Sequence, residues 1–307
     1  MTIFEQYLNF MDEGDLYFQR LARLAEQKQW KLHDDLPWTS IAEFPDETDS
    51  CEQNPLTGFE PYQTMDKKNR RCVDLQRHAL EISEIFHGEV LAMLISAQLV
   101  NLLSDPEARK FVATQAAEEA RHASFFREYL QQFNLPVFSP SQGLHQFITR
   151  ALQDQRWEHK VLCCNVTIES LAMAQFAWLR TTPVPALLDQ GLRRILEDEA
   201  RHVKFGVVVL DNHFRTLSPE EQDCLANHVI SSVMSLAPSD NHLLLLADHW
   251  HWDKHQLLYH LRKRRICRPE LYKSRFRQLS LNLRKVGLFT PSAAERLQKW
   301  LGEPLAV

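Results

Sequence analysis

An offset of eighty positions lays one stretch of this chain on another. Glu89-Val90-Leu91-Ala92-Met93 recurs as Glu169-Ser170-Leu171-Ala172-Met173, and Glu119-Ala120-Arg121-His122 recurs as Glu199-Ala200-Arg201-His202. The lone glutamate precedes the E-x-x-H by the same interval in each copy, Glu89 to Glu119 and Glu169 to Glu199, and Phe125 and Phe205 extend the match one turn further. Helix positions i and i+3 point to nearly the same side, so each E-x-x-H offers a carboxylate and an imidazole to one point in space. The remaining glutamate must come from a neighbouring helix at the same height, and that requirement restricts the fold.

The spacing meets it. Asp105-Pro106 is a helix-stop and helix-start pair that divides the interval between Glu89 and Glu119 into two nearly equal arms. At about 1.5 Å per residue the arms are rises of roughly 24 and 20 Å in opposite directions, which return Glu119 to the level of Glu89. In the second copy Pro183-Val184-Pro185 interrupts, and the arm from Glu169 to Thr182 is as long as the arm from Ala186 to Glu199. Two level hairpins make a four-helix bundle with Glu89, Glu119, His122, Glu169, Glu199 and His202 turned inward, a near-complete ligand set for two metal ions. Four carboxylates and two neutral imidazoles balance two divalent cations. Mixed oxygen and nitrogen donors with open positions suit iron or manganese better than a closed zinc site. One E-x-x-H on an exposed helix face would be commonplace; two at matched hairpin spacings inside apolar segments are not. Glu81 and Glu84 share the first helix but have no counterpart under the offset, so they read as solvated or capping residues.

These residues resemble the ferritin-like diiron carboxylate oxygenases, the superfamily of the bacterial multicomponent monooxygenases, acyl-carrier desaturases, arylamine N-oxygenases and ribonucleotide reductase small subunits. The resemblance covers residues 66–216. It implies an all-α, ferritin-like four-helix bundle with a dinuclear metal site and additional N- and C-terminal helices. It places Glu89, Glu119 and His122 on one iron and Glu169, Glu199 and His202 around the other, some carboxylates bridging, with a manganese–iron pair as the other composition and O2 as co-substrate. It also suggests that Glu118 and Asp198 accept hydrogen bonds from the outer histidine nitrogens, fixing the tautomer. Arg121 and Arg201 either pair with those acids or reach solvent. Two departures matter. Phe126 stands where reductase small subunits carry a radical tyrosine, and Ile195 stands where arylamine N-oxygenases add a third histidine. The similarity therefore supports an oxygenase more firmly than any one substrate.

A chain of 307 residues, 44% hydrophobic with only eight glycines, can bury a large helical core. Its six cysteines show neither zinc spacing nor a small-domain disulfide pattern, which fits reduced thiols and a cytoplasmic protein. The first residues lack the regions of a signal peptide, and the apolar stretch 90–103 is shorter than a membrane span and interrupted by Ser96, Gln98 and Asn101, so no membrane association is expected. Residues 1–65 form an acidic extension with 13 acidic and 4 basic side chains; a helix or two is expected up to Lys31 and irregular chain over 34–65. The core spans 66–216, with helices at 66–104, 106–133, 142–181 and 186–216 and a bend point at Trp157. Residues 217–307 form a helical extension packed on the core. Helices are expected at 219–236 and 240–265, with a short one near 293–301.

Phe125, Phe176 and Phe205 are candidates for lining a substrate cavity, although aromatic residues at helical spacing are more often core. His242, His249, His251, His255 and His260 cluster in sequence but lack converging carboxylates, and read as surface or interface residues. His87, two positions before Glu89, faces away from the ligand side.

The function expected is that of an O2-dependent non-haem diiron oxygenase that hydroxylates, desaturates or N-oxidises an organic substrate. Each turnover needs two external electrons. The chain shows no Gly-rich dinucleotide fingerprint and no iron–sulfur cysteine set, so a separate reductase or ferredoxin is implied. Residues 254–285 carry 11 Lys or Arg against Glu270 alone. Such a run favours an acidic partner: a carrier protein bearing the substrate, an acidic ferredoxin or, less in keeping with the rest, RNA. A homodimer contact is another use of the added helices. The alternatives are a ferritin-like iron-oxidising storage protein and a metal-stabilised scaffold without catalysis.

Overall fold

The computed structural model describes residues 14–39, 54–181, 183–211, 213–236, 240–265 and 269–301. Among them every regular element is helical. Helix α1 is Leu16–Gln27 and α2 a single turn, Glu60–Gln63; α3 is Lys67–Leu102, α4 Pro106–Gln132 and α5 Gln142–Gln153. The next helix starts as α6, Trp157–Val161, widens into a π-helical stretch, Leu162–Ile168, and resumes as α7, Glu169–Leu179. Helix α8 is Ala186–Val209, followed by α9, Pro219–Leu236; α10, Asp240–Trp250; α11, Lys254–Arg265; α12, Pro269–Lys285; and α13, Pro291–Leu301. The bundle consists of α3, α4, the α6–π–α7 helix and α8, and is the ferritin-like arrangement the duplicated hairpins imply.

The hairpin ends are set by side-chain chemistry. Asp105 caps α4 by accepting from Ala108 N at 2.8 Å, ahead of Pro106 at the first helical position. Its second oxygen takes Asp15 N at 2.9 Å, tying the start of α1 to the start of α4. Helix α4 stops at Asn134, whose φ of 52° is tolerated because asparagine adopts the left-handed region more readily than most residues. Ser218 and Glu221 form the reciprocal capping box that starts α9, at 3.3 and 2.9 Å.

Two apolar clusters flank the bundle interior. One contains Phe18 of α1, Phe111, Val166 and Phe205 and extends onto α9, α12 and α13. The other contains Phe125, Phe126, Tyr129, Phe176 and Ile195. A third, around Leu56, Phe59, Leu246 and Leu257, joins the chain before α3 to α10 and α11. Each fully buried phenylalanine contributes about 1.5–3 kcal/mol of transfer free energy. The stretches Lys67–Leu102 and Trp157–Leu179 are long and apolar enough to cross a bilayer by length and composition. They are also two walls of this bundle, and a core helix requires the same composition.

The bend point expected at Trp157 is a break at 154–156, just ahead of α6, where Asp154 accepts from Arg156 N at 3.0 Å as well as from its guanidinium, a local contact that competes with the helical ladder. The sequence expectations fail at two places. The helix expected over 240–265 is two, separated where His251 takes φ 54° and Trp252 N closes on Ala247 O at 2.9 Å. Helix α12 was not anticipated, because its basic residues hide the apolar stripe of Phe276, Leu279 and Leu283 that it buries. Residues 1–13 and 40–53 of the acidic extension lie outside the described residues.

Candidate metal centre

The six duplicated residues converge inside the bundle. Glu89 comes from α3, Glu119 and His122 from α4, Glu169 from the first position of α7, and Glu199 and His202 from α8. All but Glu89 are at most 1% exposed, and Glu89 is 4% exposed. Their donor atoms form two groups, Glu89–Glu119–His122–Glu199 and Glu119–Glu169–Glu199–His202, each within 4.8 Å. Glu119 and Glu199 belong to both, as bridging carboxylates must. Among the described residues no other His, Cys, Asp and Glu group converges in this way.

Both imidazoles turn Nδ1 inward. His122 Nδ1 lies 3.3 Å from Glu89, 3.2 Å from Glu119 and 3.2 Å from Glu199. His202 Nδ1 lies 2.9 Å from Glu119 Oε1 and 2.9 Å from Glu199 Oε2. The outer nitrogens meet acids, but in crossed fashion: His122 Nε2 donates to Asp198 at 2.9 Å and His202 Nε2 to Glu118 at 2.8 Å. Each histidine is thus held by the acid of the other repeat. Arg201 Nη2 bonds Glu118 at 2.8 Å and also Asp198, and Arg121 Nη2 reaches Asp198 at 3.2 Å. Two acids and two guanidinium groups leave this outer layer neutral, so the inner four carboxylates find no fixed cation in it.

Burial dominates the titration of the inner groups. It pushes the Glu89 and Glu169 carboxyls well up, in Glu169 reinforced by the charges of Glu199 and Glu119. Burial also opposes ionisation of Glu119 and Glu199, but the facing imidazoles outweigh it and hold both carboxyls low. For the histidines burial disfavours the cation. The surrounding carboxylates prevail and hold both imidazoles well above their ordinary range. Glu199 Oε1 remains buried without a hydrogen bond of its own. An inward-facing set of four carboxylates and two Nδ1 atoms, with one orphaned oxygen and a neutral surround, fits two divalent cations of intermediate hardness.

Other candidates disperse. Phe125 and Phe176 share one apolar cluster while Phe205 sits in the other, stacked on Phe111 at 4.5 Å. Phe126 and Ile195 are fully buried among apolar neighbours, so neither supplies a redox-active or ligating group. His87 bonds Phe138 O at 2.8 Å, away from the carboxylates. Glu84 bonds Ser141 N and Oγ beside the start of α5, and Glu81 bonds Gln175. Of the late histidines, His242 meets Ser139 O and His260 meets Pro55 O.

Sequence reasoning missed contributors from outside the duplicated helices. Gln29 and Trp30, just after α1, reach the outer layer: Gln29 Nε2 donates to Glu118 at 2.8 Å and Trp30 Nε1 to Asp198 at 2.9 Å. Nothing in the sequence around them signals it. Gln115, one turn before Glu119, donates to Glu119 Oε1 at 3.2 Å, and the i, i+4 rule could have found it.

Comparisons with known proteins agree with this geometry. The solved structures similar to the chain include R2-like ligand-binding oxidase with an aerobically reconstituted Mn/Fe cofactor, at 18% identity and a TM-score of 0.54 over 89% of this chain and 94% of that one. A single-substitution variant of that oxidase matches at 18% identity and 0.53, over 88% and 94%. At this identity the likeness concerns the fold. Comparison with curated proteins gives no match. The family model described as p-aminobenzoate N-oxygenase AurF matches residues 12–242, which take in α1, all four bundle helices and every inward-facing carboxylate and imidazole. The lack of a histidine at Ile195 leaves that match standing, and the chain belongs to the p-aminobenzoate N-oxygenase AurF family.

Proposed function

We propose that Glu89, Glu119, His122, Glu169, Glu199 and His202 hold two metal ions, iron or a manganese–iron pair, with Glu119 and Glu199 shared between them. The chain is an oxidoreductase that uses O2, as its family is. The finer reading is oxygen transfer to an organic substrate, with N-oxidation of an aromatic amine first to be tested, since that is the chemistry named for the family. The observation that carries it is the convergence of six buried donors into two groups that share two carboxylates.

When bound, such a metal pair supplies two electrons to O2 and so generates the oxidant. The chain's own residues do the rest. Glu118 and Asp198 accept the outer imidazole protons, which leaves each Nδ1 lone pair directed inward. Arg121 and Arg201 neutralise those acids, so they do not draw the protons off the imidazoles. Phe125, Phe126, Phe176 and Ile195 on one side and Phe111 and Phe205 on the other exclude water from the centre. Glu89 is the most exposed of the six, at 4%.

Electrons come from a separate acidic reductase or ferredoxin, for which the basic run around α11 and α12 is the docking candidate. Arg262 and Lys263 are exposed there, while the side chains of Arg264 and Arg265 lie outside the described residues. The deciding experiment loads the protein anaerobically with Fe(II), measures bound iron, then adds O2 and an aromatic amine and analyses the product by mass. Two irons per chain and an oxygenated amine support the reading. Retention of no more than one iron defeats it.

A further inference from the structure

The two halves of the centre are built from a duplicated sequence, yet their surroundings differ. Asn165 lies in the π-helical stretch that leads into Glu169 and is fully buried. Its Nδ2 is 2.8 Å from Gln115 Oε1 and 3.1 Å from the main-chain oxygen of His202. The His202 carbonyl can only accept, so the Asn165 amide turns its NH2 group toward both partners. Gln115 must then present its carbonyl to Asn165, which leaves its own NH2 aimed at Glu119 Oε1, 3.2 Å away. One backbone carbonyl thereby dictates the direction of a two-amide relay that ends on a shared carboxylate. It ends on the oxygen of Glu119 that faces His202 Nδ1 at 2.9 Å, while the other oxygen faces His122.

The fit around the relay is close. A Cβ at Gly206 would meet Asn165 Cβ at 2.5 Å, so α8 approaches the π-helical stretch this closely only with glycine there. The same stretch supplies Cys164, whose Sγ donates to Glu169 Oε1 at 3.5 Å. Across the duplication Gln115 corresponds to Ile195 and Asn165 to Ile85, and these isoleucines pack in one apolar cluster. The relay therefore has no counterpart on the His122 side.

We propose that Gln115 and Asn165 are positioning residues that fix the Glu119 carboxylate toward His202, and that the position formed by Glu119, Glu169, Glu199 and His202 is in consequence the tighter and first-filled of the two. This rests on the two-metal reading above. Removing a hydrogen-bond partner of a metal ligand typically weakens binding by about 10–100-fold, so the relay is large enough to order the filling of the two positions.

The test is a Mn(II) titration of the full chain, with free Mn(II) followed by its electron paramagnetic resonance signal, in wild type, Asn165→Asp and Gln115→Leu. Asn165→Asp keeps the volume but turns the relay around, since a carboxylate accepts from Gln115 and drives its carbonyl against Glu119. Gln115→Leu removes the donor and imitates the apolar side. Wild type should take up two equivalents in two steps. Each variant should weaken the first step by about 10–100-fold and leave the second within about threefold. Circular dichroism and the melting temperature establish that both variants are folded, and if one is not, the other decides. Wild-type titration curves in a folded variant overturn the inference, and so does equal weakening of both steps alongside a lowered melting temperature, which marks a merely structural role. Uptake of no more than one equivalent by wild type defeats the two-metal reading instead, so the two failures are distinguishable.

Discussion

His122 donates its outer proton to Asp198, 2.9 Å away in the other repeat, and not to Glu118, which stands one turn before it on its own helix. The reciprocal bond from His202 to Glu118 makes each half of the centre depend on an acid from the opposite half. Asp198→Asn should weaken metal binding at the His122 position by about 10–100-fold, and Glu118→Gln should do so at the His202 position. Chelator competition on the two variants checks this, with circular dichroism to establish that each keeps its helical content. Effects confined to the repeat that carries the substitution would contradict the crossed arrangement.

His122→Ala and His202→Ala should each lower retained iron from about two equivalents to one or fewer, since each Nδ1 faces a separate donor group. Helicity should survive, because the four bundle helices are held by the flanking apolar clusters. Bound metal after gel filtration and far-ultraviolet circular dichroism measure the two effects.

The centre was legible because helical periodicity and hairpin length are local quantities. Glu89 and Glu119 could be brought level by counting along the chain, and the duplication showed which glutamates belong. The crossed pairing was not legible: i and i+4 adjacency says that Glu118 can reach His122, but the closest outer acid comes from a helix packed alongside. Asn165 escaped for a related reason, since the π-helical stretch shifts its side chain off the face that regular α-helical periodicity assigns. Trp30 and Gln29 lie on chain that only tertiary packing brings to the site. The break at His251 turns on a single backbone choice inside an otherwise helical pattern.

A pH-dependent contribution to stability resides at His78. Burial, with Arg77 nearby, pushes its pKa from 6.5 to about 3, and its Nε2 sits 3.0 Å from the hydroxyl of buried Tyr129. Burial drives the Tyr129 pKa up, so the phenol keeps its proton and donates to the neutral imidazole. Because the folded pKa lies below the unfolded one, the stabilisation is complete above pH 6.5 and is lost as pH falls from 6.5 toward 3. The slope from this one group approaches about 1.4 kcal/mol per pH unit inside that window. Urea unfolding across the window should show a shallower acid limb in His78→Gln than in wild type. Identical slopes would remove His78 from the account.

Oxygenation and storage make opposite demands on the same buried carboxylates, and excess iron separates them. A storage protein must pass oxidised iron onward from the site and deposit it in a closed shell, whereas an oxygenase must keep its two ions and hand the oxidising equivalent to a bound molecule. Here the inner carboxylates are sealed on both flanks by fully buried aromatic residues, and the outer layer is closed by Arg121, Arg201, Gln29 and Trp30. Among the described residues the convergent donor groups are those of the centre itself. Fe(II) added in air well beyond two equivalents should therefore leave about two irons bound per chain, in a particle of a few chains at most. Soluble iron retained and particle mass are measured on the same sample. Hundreds of irons in a cage-sized assembly would overturn the oxygenase reading, and a plateau near two in a small particle is the outcome the sealed centre requires.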